Sequence, residues 1–254
     1  MKQKPCIVFC RCGAGVISVN ELNEIAEGLK KLDVQVYELR DLCAYSIQGQ
    51  DVLDAIDHEF QQKIIIACYP RAVKNMLRQG GVDLGDFDVL NFRDLSPKEI
   101  FRVLETKYRI TQGEARYHVE TNALDVPAWF PVIDESLCTL CGKCARFCLF
   151  NVYSFNKKSL KVVNPLACKN KCPACGRTCP VSAIMFPRIG EKSALAGAEP
   201  DTVGKTTGEE GLFVMLNDRN RNRKNIFRLG LLQQAEDERR KALEELKASV
   251  KNQK

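Results

Sequence analysis

Cys138-Thr139-Leu140-Cys141-Gly142-Lys143-Cys144-Ala145-Arg146-Phe147-Cys148 places four thiols in one short run, separated by two, two and three residues. A second group follows: Cys168-Lys169-Asn170-Lys171-Cys172-Pro173-Ala174-Cys175-Gly176-Arg177-Thr178-Cys179-Pro180, with gaps of three, two and three. Thiols this dense serve either a disulfide framework or metal. Disulfide frameworks belong mainly to small secreted chains. This chain has 254 residues and 13 cysteines, and it opens on Met1-Lys2-Gln3-Lys4-Pro5 without the apolar core or small-residue cleavage site of a signal peptide. Nor does any window approach the ~18 apolar residues of a membrane span. The expected compartment is the reducing cytoplasm, where thiols stay free to ligate metal.

The two groups resemble the paired motifs of bacterial two-cluster ferredoxins. That resemblance implies two [4Fe–4S] clusters and a crossed ligand set, in which the fourth cysteine of each motif serves the other cluster. One cluster would take Cys138, Cys141, Cys144 and Cys179, and the other Cys168, Cys172, Cys175 and Cys148. Gly142 and Gly176 lie inside the motifs, where backbone N–H groups must approach inorganic sulfide. Pro180 stops the turn at Cys179 from continuing. Two details depart from the family pattern: Leu149 follows Cys148 where proline is usual, and three residues separate Cys168 from Cys172. Zinc is the competing reading. Four-cysteine zinc sites pair two C-x2-C knuckles across a longer span. The spacing here differs, and His58 and His118 are the only histidines.

Outward from the motifs, Val152-Tyr153-Ser154-Phe155 and Leu160-Lys161-Val162-Val163 flank Asn156-Lys157-Lys158-Ser159, a hairpin signal. Towards the N-terminus the hydrophobic period alternates. Strands are predicted at residues 6–10, 34–39, 64–67 and 88–92, and helices at 19–32 (Asn20 as cap), 51–61, 71–78 and 97–108. This order implies an α/β domain over residues 1–110, a mostly parallel sheet with flanking helices. Residues 111–133 show no clean period and read as a linker that packs its aromatics. A small α+β ferredoxin-like iron–sulfur domain is expected at 134–190, a mobile linker at 191–225 and a C-terminal helix at 226–250.

Five cysteines remain. Cys10 and Cys12 close the first strand, Cys43 lies past the second and Cys68 ends the third. Carboxyl ends of strands are where open α/β sheets hold ligands. Cys10-Arg11-Cys12-Gly13, Leu42-Cys43 and Ala67-Cys68-Tyr69-Pro70-Arg71 resemble the N-terminal domain of the heterodisulfide reductase A subunit. The resemblance implies a third [4Fe–4S] cluster on Cys10, Cys12, Cys43 and Cys68. The flavin-binding portion of that subunit is not visible here, so flavin chemistry is not carried over. Gly13-Ala14-Gly15-Val16-Ile17-Ser18, with Glu38 beyond it, echoes a dinucleotide fingerprint. Ser18 stands where the third glycine belongs, and neither flavin nor nucleotide is expected. Cys6 reads as a small hydrophobe. Arg71 is read either as a donor to a cluster sulfur or bound anion, or as a group at the next helix's start.

The net charge of +6 matches the excess in Arg219–Lys254, eleven Lys and Arg against five Asp and Glu, so only the tail reads as basic. An acidic partner docking on residues 219–228 is expected rather than nucleic acid. No nucleophile or general-base constellation stands out. The leading expectation is an iron–sulfur protein that relays single electrons, as subunit or partner of a heterodisulfide-reductase-like redox complex. Two alternatives stay open: an oxidoreductase with a small-molecule or flavin site in the N-terminal domain, and an iron–sulfur sensor with a basic binding tail.

Overall fold

The computed structural model describes residues 5–124, 127–200 and 229–251. The basic stretch 219–228 and the first residues of the expected C-terminal helix lie outside them.

A five-stranded sheet forms the first unit; across it lie, in order, β4 (Phe87–Asn91), β3 (Lys63–Ala67), β1 (Cys6–Arg11), β2 (Gln35–Arg40) and β5 (Arg116–Glu120), with every pair parallel. Strands β1 and β3 are buried almost throughout, which their unbroken apolar runs require. β2 and β4 flank them. Helix α1 (Val19–Leu29) buries Leu22, Ile25, Ala26 and Leu29 on one face. Its cap is Ser18 rather than Asn20: the Ser18 side chain accepts from Glu21 N–H, and Glu21 reaches back to Ser18. This cap also explains why the chain departs from the third glycine of a dinucleotide turn. A short helix α2 (Leu42–Tyr45) and α3 (Gln50–Glu59) link β2 to β3. Helices α4 (Pro70–Gln79) and α5 (Pro97–Thr106) both carry proline in the first turn.

The expected linker 111–133 is instead partly sheet. Arg116–Glu120 forms β5, an edge strand paired with β2. An edge strand needs no apolar alternation, and Arg116, His118 and Val119 are exposed, so the sequence shows no period there. Tyr117 O–H donates to Glu38, which also faces Arg11. The acidic residue of the nucleotide-like pattern is thus engaged within the sheet.

The cysteine-rich segment is bracketed by an antiparallel pair, β6 (Val132–Ile133) with β9 (Ile184–Met185). Between them lie α6 (Lys143–Phe147), the hairpin β7 (Tyr153–Phe155) with β8 (Leu160–Val162), and α7 (Ala174–Arg177). The last element, α8 (Leu229–Lys251), packs on α7. Its Ala235 and Ala242 are buried.

Four side chains tie the two units together. Gln79 donates to Pro131 carbonyl and accepts from Ile133 N–H, each at 3.0 Å, so one side-chain amide serves β6 as a strand would. Arg188 meets Asp41 at 2.5 Å. Arg93 donates to the carbonyls of Ile189, Gly190 and Glu191. Arg71 pairs with Asp134 at 2.6 Å and also donates to the carbonyls of Ser182, Ala194 and Ala198. Neither sequence reading of Arg71 holds: its guanidinium is spent between the units. Of the expected linker 191–225, residues 191–200 pack against the first unit through Arg71 and a buried Ala196, and the rest lies outside the described residues.

Candidate metal centres

The sheet positions the N-terminal thiols. β1 lies between β3 and β2, and the parallel register aligns Cys10 with Leu39 and Phe9 with Ile66. The segments leaving these three strands therefore emerge side by side at one edge, where the strand order reverses direction. Cys10, Cys43 and Cys68 are buried there, and Cys12 is half-buried. Their fields overlap. Cys10 and Cys12 share a hydrogen bond that pushes the Cys10 thiol well up and lowers Cys12. Burial drives Cys43 well up, with Cys68 and Cys12 adding to it. Burial pushes Cys68 up to about 12, with Cys12 adding to it. Two sulfurs also receive backbone donors, Cys10 from Leu42 N–H at 3.4 Å and Cys12 from Ala14 N–H at 3.5 Å. Cys6 stands apart at the opposite end of β1, and burial pushes it up to about 12.

In the cysteine-rich segment the thiols fall into two sets. Cys138, Cys141, Cys144 and Cys179 line one hollow of about 300 Å³, open solvent at its mouth included. Burial pushes Cys144 up to about 12, with Cys179, Cys138 and Cys141 pressing the same way. Cys179 accepts from Ala183 N–H at 3.2 Å. Gly142 lines this hollow with φ +67°, and a Cβ there would come within 2.3 Å of the Phe155 ring. The close contact at this glycine is thus an aromatic side chain of the hairpin.

The second set is Cys148, Cys168, Cys172 and Cys175. Burial raises Cys168, with Cys172 and Cys148 next in effect. Burial likewise raises Cys175, opposed by a hydrogen bond shared with the Tyr153 hydroxyl at 3.1 Å and reinforced by Cys168, Cys148 and, from the first set, Cys144. Cys172 is raised by burial, and its neighbours include Cys148 and Glu238. Cys168 packs against both hydrophobic cores, so the extra residue before Cys172 leaves it inside the fold. Gly176 is buried, with Leu195, Phe186 and Ile184 around it.

The aromatics expected to pack from residues 111–133 cover the second set. Trp129 stacks on Phe186, with centroids 5.3 Å apart, and donates to Cys172 carbonyl at 3.4 Å. Trp129, Phe130 and Phe186 also line a small hollow beside Cys43, between the first and second units. The aromatic run Trp129-Phe130 was the available signal. Helix α8 closes the far side: Glu238 pairs with Arg177 at 2.8 Å, Glu245 pairs with Lys169, and Arg239 lies over Phe147 at 5.3 Å.

Among the described residues, no three His, Cys, Asp or Glu side chains are arranged to chelate a single metal ion. A four-iron cubane is a larger body, held by thiolates at its outer corners. Grouped soft donors, backbone N–H groups aimed at sulfur and water-poor surroundings fit such a body.

Residues 131–151 match the 4Fe-4S binding domain family. A stretch of 61 residues, 24% of this chain, is 38% identical to an uncharacterized ferredoxin of Methanocaldococcus jannaschii. It covers 42% of that relative, so the chain spans less than half of the relative's length. No solved structure matches the chain. Among the described residues no helix is long and apolar enough to cross a membrane. The chain therefore carries a ferredoxin-type iron–sulfur segment of the 4Fe-4S binding kind.

Proposed function

We propose that this protein is a three-centre electron carrier. Cys138, Cys141, Cys144 and Cys179 hold one [4Fe–4S] cluster, and Cys148, Cys168, Cys172 and Cys175 hold a second. Cys10, Cys12, Cys43 and Cys68 hold a third. The observation that carries this reading is the placement of twelve of the thirteen thiols: four line one hollow, four stand at the end of α6 and around α7, and four gather at the carboxyl edge of the parallel sheet. When bound, such clusters carry single electrons at potentials set by hydrogen bonds to sulfur, by charge and by exposure.

The chain's own residues supply those settings. Tyr153 donates to Cys175 from a buried position, which favours the more negative, reduced state of the second centre. The backbone N–H groups of Leu42, Ala14 and Ala183 do the same for Cys10, Cys12 and Cys179. The stacked Trp129 and Phe186, with Phe130, keep water out of the space between Cys43 and Cys172. Arg71, Arg93, Gln79 and Arg188 fix the N-terminal unit against the ferredoxin-type segment, as a relay between them requires. The three N-terminal motifs support work as subunit or partner of a heterodisulfide-reductase-like redox complex.

The test is anaerobic purification with iron, sulfide and reduced-state EPR, beside a Cys43→Ala variant. About twelve irons falling to about eight supports three centres. About eight in both proteins removes the third centre and leaves the N-terminal unit a docking domain.

A further inference from the structure

Net charge along the chain conceals a sharp separation. Segment 134–190 holds nine Lys and Arg against two Asp and Glu, a net of +7, while the whole chain is +6. The tail is therefore not the only basic region; acidic stretches elsewhere mask this one. Both of the segment's acids precede the first cysteine. Asp134 is buried against Arg71, and only Glu135 is exposed.

Three of the nine cations are spent on internal pairs: Arg177 with Glu191 and Glu238, Arg188 with Asp41, and Lys169 with Glu245. Arg146, Lys157, Lys158 and Lys161 are exposed, the first on α6 and the others on the β7–β8 hairpin that packs against it. Arg146 donates to Cys141 carbonyl at 2.8 Å. Lys157 and Lys158 form the turn of the β7–β8 hairpin, whose Phe155 rests on Gly142. Lys161 pairs with Ser154 across the hairpin, on its exposed face, while Leu160 beside it lines the hollow of the first thiol set. Cys141 in that set is the most exposed of the cysteines; the others are buried or half-buried. Two bound clusters, at about −2 each with their thiolates when oxidised and about −3 when reduced, would leave the segment near +3 and about +1 respectively, positive in both states.

We infer that this face is the electron exit and that its partner is an acidic redox protein, which docks over Cys141 through Arg146, Lys157, Lys158 and Lys161. This rests on the first thiol set holding a cluster, as proposed above. The surface is distinct from the tail at 219–228. One electron leaves the reduced protein and is taken up by the partner's own redox group; no bond is made or broken. The cations steer encounter and hold the partner where the first set lies nearest solvent.

The test uses the full-length protein, reduced and freed of excess reductant, against two probes followed by stopped flow: an acidic flavodoxin and a basic cytochrome c. The flavodoxin rate should fall at least ~10-fold as ionic strength rises from ~0.01 to ~0.5 M, and the cytochrome rate should rise. In a Lys157→Glu/Lys158→Glu/Lys161→Glu variant, both salt trends should flatten or invert, with the low-salt flavodoxin rate down at least ~10-fold. A triple Lys→Gln variant should fall between the two and serves as the readout should the Glu variant lose iron. Wild-type EPR intensity with an unchanged flavodoxin rate in these variants overturns the docking face. Absence of any reduced-state EPR signal in the wild type overturns the cluster reading itself, and the docking face with it.

Discussion

Replacing Arg71 by Ala removes a guanidinium that serves four acceptors at once: Asp134 Oδ2 and the Ser182 carbonyl at 2.6 Å, the Ala198 carbonyl at 3.1 Å and the Ala194 carbonyl at 3.2 Å. Both members of the ion pair are almost inaccessible, with 4% and 7% of their side-chain surfaces exposed. Breaking such a pair from one side leaves the other charge buried without its partner, at a cost of about 3–5 kcal/mol. At about 1.4 kcal/mol per tenfold, the local opening equilibrium should rise roughly a hundred- to a few-thousand-fold. The assay is native-state hydrogen exchange on the iron-loaded protein, read at the amides of Asp134 and Ala196, which bond to Ala183 and Ser193 carbonyls. Arg71→Lys keeps the charge but loses the planar fork and should fall between. Acid gives a second readout. Burial alone would raise the Asp134 carboxyl, but hydrogen bonds from Ser136 and Arg71, with the Arg71 charge, hold it below its usual value. The pair's contribution is therefore complete above the unfolded carboxylate pKa of about 3.9 and is lost as pH falls through the lower folded value. Arg71→Ala should flatten that dependence. Exchange at both amides unchanged within about 1 kcal/mol in Arg71→Ala would refute the account of Arg71 as the bond between the two units.

Two further perturbations act on single centres. Gly142→Ala places a Cβ 2.3 Å from the Phe155 ring at φ +67°; backbone strain of about 1–2 kcal/mol adds to overpacking, and iron analysis should show about four irons fewer with the N-terminal centre intact. Tyr153→Phe removes the hydroxyl 3.1 Å from Cys175; a differential of up to ~1 kcal/mol corresponds to up to ~40 mV for one electron, so a redox titration should find one centre more negative by tens of millivolts and the others unmoved.

The parallel sheet was legible because its central strands are unbroken apolar runs buried on both faces, as Ile64-Ile65-Ile66 shows. The hairpin around Asn156-Lys157-Lys158-Ser159 was legible from its turn residues. Strand β5 was not, because an edge strand with Arg116, His118 and Val119 in solvent carries no apolar period. The thiols announced themselves by spacing, but their surroundings did not. Arg71 and Asp134 are 63 residues apart, and nothing local to either predicts the other. The same holds for Gln79 facing β6 and for Trp129 meeting Cys172, since long-range pairings are fixed by how two units dock and not by the period of either. Residues 191–200 look like a linker in composition and are held by side chains far upstream, Arg71 among them.

Helix α8 is the last described element to leave the ribosome, and it lies across the second cysteine group through Arg177, Lys169 and α7. A nascent chain therefore displays Cys168, Cys172 and Cys175 before their cover exists. The interval between synthesis of Cys179 and of Glu238 is a window in which iron and sulfide can be delivered to open thiols, after which Glu238 and Glu245 fasten the helix down. Under the proposed ligand set, the order of residues along the chain places the thiols ahead of their cover.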